Sequence, residues 1–80
     1  MKELVGVAAG KIWLILGKKG ETTIPQLIKS LNEDDSIVSQ ALGWLAREGK
    51  IESVIKGKTE YFTLTKAEHE TYIKTQKEGL

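Results

Sequence analysis

Ser36-Ile-Val-Ser-Gln-Ala-Leu-Gly-Trp-Leu-Ala-Arg-Glu-Gly-Lys-Ile51 is the stretch that decides how this chain folds. Val38, Leu42 and Leu45 recur as one apolar row of a helix, Ile37, Ala41 and Trp44 flank that row, and Gly49 ends it. A β-rich run from Ile51 to Ile55 follows almost at once, so the helix feeds a strand with no linker between them.

Upstream, Asn32-Glu-Asp-Asp35 reads as a tight turn whose acids favour the start of that helix through its dipole, by about 0.3–1 kcal/mol each. Before the turn, Thr23-Ile-Pro-Gln26 has the spacing of a capping box, with Pro25 tolerated in the first helical turn. The spacing predicts a short helix to Leu31 that buries Leu27, Ile28 and Leu31. Further back, Leu4, Val5, Ala8, Ala9 and Ile12 fall at helical spacing, and Trp13, Leu14, Ile15 and Leu16 carry apolar surface round every side. A first helix from Lys2 to Leu16 is expected, stopped by Gly17 and Gly20, with Lys18 and Lys19 set against its C-terminal dipole.

Downstream, Glu60 to Leu64 is a second β-rich run, joined to the first across Lys56-Gly-Lys-Thr59, where Gly57 supplies the positive φ of a tight turn. Thr65-Lys-Ala-Glu68 repeats the capping-box spacing and opens a last helix over 66–80. Its apolar residues, Ala67, Tyr72 and Ile73, are sparse, so it is expected to lie at the periphery and to fray near Gly79. The order is helix, a short strand at Glu21 to Thr23, helix, helix, strand, strand, helix. Packing these faces gives an α+β, mainly α architecture: a winged helix-turn-helix, with a three-helix core, a β-hairpin wing and an extra C-terminal helix, in one domain over 1–80. A plain three-helix bundle leaves the hairpin unexplained.

Eighty residues bury only about 60–65 % of the surface that the unfolded chain exposes, and the chain has no cysteine to add a disulfide or a thiolate metal site. Self-association is the remaining source of extra burial. The Met-Lys-Glu-Leu opening resembles no signal peptide, and no apolar run approaches a membrane span, so a cytoplasmic protein is expected. Formal charge is only +1, with pI near 7.9, whereas nucleic-acid binders usually carry a marked basic excess. The charge is also uneven: Glu33, Asp34, Asp35 and Glu48 stand against Arg47 in the very segment where a DNA reader is normally basic.

Ala9-Gly-Lys-Ile-Trp13 and Gly43-Trp-Leu-Ala-Arg-Glu48 resemble a family of small bacterial winged helix-turn-helix domains of uncharacterised function, over about Gly6 to Leu64. The resemblance implies a domain type whose larger relatives bind DNA, and it carries over no catalytic residues.

In a groove-docked third helix, Ser36, Ser39, Gln40, Gly43 and Arg47 face outward, away from the apolar row. Gln40 suits adenine, and Arg47 suits guanine or a phosphate. Lys56 and Lys58 on the wing suit flanking phosphates. The same positions also read as solvated surface, and wing charges as a guard against edge pairing. Trp13, Ile15, Leu16 and Trp44 are the candidate homodimer seam, with core packing as the alternative for both indoles. Gly6 and Gly10, four apart, allow a close helix approach.

Catalysis finds no footing. His69 sits between two glutamates on the sparse last helix, Asn32 to Asp35 lacks the ligand spacing of a calcium loop, and Gly17 to Gly20 lacks that of a phosphate loop. The expectation is a DNA-binding, regulator-like module, weak or dimer-dependent, with double-stranded DNA and a second copy as partners. No enzyme activity, metal, cofactor, membrane or small-molecule ligand is expected. The alternative is a protein-interaction domain on the same fold.

Overall fold

The computed structural model describes residues 2–78 and contains α1 (Lys2–Lys19), α2 (Ile24–Leu31), α3 (Asp35–Arg47), β1 (Ile51–Lys56), β2 (Thr59–Leu64) and α4 (Lys66–Glu78). The expected fraying near Gly79 lies outside the described residues. α2 begins at the Thr23 capping box: the Thr23 oxygen accepts the Gln26 N–H, and the Gln26 carboxamide oxygen accepts the Thr23 N–H. It ends at Asn32, whose φ of 54° turns the chain while its N–H donates to the Ile28 carbonyl. Two residues later Asp34 caps α3 by accepting the Ile37 N–H at 2.9 Å. The short connection makes α2 and α3 a helix-turn-helix.

Ile12, Leu16, Leu27 and Val38 are fully buried and form the centre of the core, with Ala8, Ala41, Leu42 and Leu45 around them. Each large aliphatic side chain removed from water there contributes about 1.5–3 kcal/mol. β1 and β2 pair antiparallel from Ile51↔Leu64 to Lys56↔Thr59. Ile51 and Leu64 are buried at the core end, whereas Ile55 near the tip is 71 % exposed, so the hairpin leaves the core as a projecting wing. Gly57 has φ +63° and Lys58 has no positive φ, the pattern of a type II′ turn. The strand expected at Glu21 to Thr23 is a single bridge, in which Thr22 and Phe62 exchange both backbone hydrogen bonds, at 3.0 and 2.8 Å.

Two expectations are corrected. α1 does not stop at Leu16 but runs through Gly17 to Lys19, and the turn falls at Gly20, with φ +79°. Gly17 is instead the place where the Tyr72 ring of α4 lies against α1, since a Cβ there would overlap that ring. The second capping box is also not formed. The Thr65 hydroxyl faces the Gly49 carbonyl at 3.5 Å, and the Glu68 carboxylate is drawn to a tertiary partner, the Trp13 indole N–H at 2.9 Å.

Candidate nucleic-acid interface

α3 divides its residues sharply. Ile37, Val38, Ala41, Leu42 and Leu45 are buried, while Ser36, Ser39, Gln40, Gly43 and Arg47 are all exposed, one face into the core and the other into solvent. On the outer face Gln40 donates to the Ser36 hydroxyl at 3.0 Å, and Ser39 donates to the Asp35 carboxylate at 3.2 Å. Both bonds are exposed and worth little, about 0.5–1.5 kcal/mol net, so either side chain is released for another partner at small cost. A Cβ at Gly43 would meet nothing within 4 Å, so the backbone is open to close approach there.

The acidic turn has an internal use. Asp34 is the helix cap and Asp35 holds Ser39, so two of the three acids are engaged at the start of α3. Both carboxylates sit at the N-terminal end of α3. On the wing, Lys58 is exposed at the turn, but Lys56 is not a free cation. Its Nζ lies 2.6 Å from the Glu21 carboxylate and 5.7 Å from the centre of the Tyr61 ring. The hydrogen bond with Glu21, then its charge, holds the Lys56 pKa above the ordinary lysine value.

The four candidate seam residues, Trp13, Ile15, Leu16 and Trp44, differ in burial. Leu16 is fully buried within its own chain. Trp13 donates its N–H to Glu68 and sets its ring edge-on to Tyr72 at 5.5 Å, joining α1 to α4. Ile15 is half-buried against the same core. Trp44 is 41 % exposed, lies over Gly6 and donates to Glu48 at 3.3 Å, so Gly6 serves packing between α1 and α3 inside one chain. The apolar surface that α1 does present to solvent is Leu4, Val7 and Leu14, each about half exposed. The 4, 7, 11, 14, 18 spacing of Leu4, Val7, Lys11, Leu14 and Lys18 carries that signal in the sequence, hidden because α1 is apolar on its other faces too.

Among the described residues no group of His, Cys, Asp or Glu is arranged to hold a metal ion, and no helix is long and apolar enough to cross a membrane. The chain is similar to the uncharacterized protein MJ1608 of Methanocaldococcus jannaschii, with 41 % identity over 49 residues, 59 % of this chain and 70 % of that protein. Among solved structures it is similar to a transcriptional regulator, HlyU of Vibrio vulnificus, with a TM-score of 0.74 at 24 % identity, covering 95 % of this chain and 85 % of HlyU. It is similar also to Lactococcus lactis ZitR, with a TM-score of 0.76 at 16 % identity over 88 % of this chain; it spans 49 %, about half, of ZitR's length. At these identities the two structures speak for the fold alone. Residues 1–64 match the family described as Winged helix-turn-helix domain (DUF2582), and the chain belongs to that family.

Proposed function

We propose that this chain is a DNA-binding, transcription-regulator-like module and not an enzyme, with the outer face of α3 entering the major groove and the β1–β2 wing lying along flanking phosphates. The observation that carries the reading is the division of α3: Ile37, Val38, Ala41, Leu42 and Leu45 are buried, and Ser36, Ser39, Gln40, Gly43 and Arg47 are all exposed on the opposite side. Likeness in fold to HlyU, described as a transcriptional regulator, supports it. Gln40 and Arg47 are the base-reading candidates and Lys58 the phosphate contact, joined by Lys56 once a phosphate displaces Glu21. The acids at the start of α3 oppose phosphates, so the affinity of one copy is low.

A residue-resolved NMR titration with mixed-sequence duplex DNA at low and then moderate salt tests this. Salt-sensitive shifts confined to 36–47 and 56–58 are expected, and a silent spectrum at low salt refutes groove docking. Lys58→Ala should weaken binding to all sequences and lower the salt slope by about one, whereas Gln40→Ala should alter sequence preference.

A second copy is the partner that would raise the affinity, and the seam proposed for it is the outer stripe of α1. Leu4, Val7 and Leu14 alternate at three- and four-residue spacing with Lys11 and Lys18, the pattern of a helix–helix seam. In an antiparallel pair centred near Ala9, Leu4 meets Leu14 of the other copy and the stem of Lys11 covers Val7. Light scattering should give a dimer mass for the native chain and a monomer mass for Val7→Glu. A monomeric native chain favours the other reading of this stripe, a docking face for a different protein.

A further inference from the structure

The two stretches that carry the family resemblance, Ala9 to Trp13 and Gly43 to Glu48, meet at a place that the DNA reading does not use. Together with the start of α4 they line a cleft of about 520 Å³, within the range of small-molecule sites. Gly6 and Gly10 form one side, with open space above Gly10, where an added Cβ would meet nothing within 4 Å. Trp13 and Trp44 both line it, and so do Glu48 and Glu68. Each glutamate accepts an indole N–H through one carboxylate oxygen, Glu68 from Trp13 at 2.9 Å and Glu48 from Trp44 at 3.3 Å. Both indole donors are therefore spent inside the protein. What the cleft still offers a ligand is indole surface and the second oxygen of each carboxylate.

Those two offerings select one chemistry. Aromatic surface attracts cations through its quadrupole, and carboxylates attract them by charge. Lys50 is the one cation in the lining, against two carboxylates, so the net charge is −1 and an anion is disfavoured. The rest of the lining is mostly small or apolar, with Ala9 and Leu45 beside the glycines, which disfavours a strongly hydrated metal ion. We propose that the cleft is a binding site for a small apolar cation, of the quaternary ammonium or protonated arylalkylamine class. The proposal stands independently of DNA binding, because none of its groups belongs to the five outer residues of α3 or to the wing.

The test is an NMR titration of the full chain with phenyltrimethylammonium, against tert-butylbenzene as its neutral isostere, reading the two indole N–H signals and the amides of Gly6 and Gly10. The cation should shift all four, at about one-tenth the concentration that the isostere needs. Glu48→Gln and Glu68→Gln keep an oxygen that accepts the indole N–H, so each should hold the fold while weakening the cation severalfold and leaving the isostere unchanged. Gly10→Leu, which fills the open space, should abolish both responses in a chain whose spectrum is otherwise folded. Equal response to cation and isostere overturns the proposal. So does a cation response that survives Gly10→Leu or both glutamine variants, or indole signals that do not move with the cation.

Discussion

α3 and α1 are both helices laid against one core, yet they show opposite outer surfaces. Behind its buried row α3 presents Ser36, Ser39, Gln40, Gly43 and Arg47, while α1 presents Leu4, Val7 and Leu14 at about half exposure behind Ile12 and Leu16. A polar, hydrogen-bonding face suits a polar partner with fixed edges, and an apolar stripe suits another apolar surface. One small domain thus has two outer faces of different chemistry, and neither is explained by the core it covers.

The sharpest way to break the comparison is inside α1 itself. Leu16→Ala should cost about 2–5 kcal/mol in denaturant unfolding, because it empties a fully buried site. Leu14→Ala, at dilutions where the chain is a monomer, should change stability by less than about 0.5 kcal/mol. Equal losses would mean that the outer stripe belongs to the core after all.

That pair also marks how far the sequence could be read. α2 and α3 were legible because each is apolar on one side only: the periodicity that names Val38, Leu42 and Leu45 as buried also names Ser39 and Gln40 as outward. In α1 the period carries no such contrast. With apolar residues on every side, Leu14, Ile15 and Leu16 look alike in one dimension, and only the packing of α2, α3 and α4 around the helix decides which is buried. The sequence therefore offers Leu16 as a seam candidate, whereas the structure buries it in the core of its own chain. Glu68 departs from its local pattern for a related reason. Its local spacing offered a capping box, and an indole N–H 55 residues away won the carboxylate.

The glycines of α1 give the next largest effect. Gly17→Ala should destabilise by about 1–3 kcal/mol, because the new methyl would overlap the Tyr72 ring and force α4 away. Gly10→Ala, facing open space, should stabilise by about 0.5–1 kcal/mol through helix propensity. Matching signs in thermal unfolding would show that α4 does not dock through Tyr72.

The smallest effect belongs to the wing. Pairing with Glu21 raises the Lys56 pKa in the folded chain, so the associated stability is complete below the ordinary lysine value of 10.5 and is lost as pH rises through the higher folded value. Between neutral pH and pH 9 Lys56→Met should leave the shape of the stability profile unchanged. Its mark is a shallower loss above the lysine range, and an identical alkaline limb in both proteins would show that the pair adds nothing in solution.

The bridge between Thr22 and Phe62 bears on motion. With two reciprocal backbone bonds at one point and the Lys56–Glu21 ion pair further along the hairpin, the wing is pinned to the loop between α1 and α2. Held at two points, the hairpin can neither slide along that loop nor swing away from it without breaking these bonds, so wing and loop move as one body.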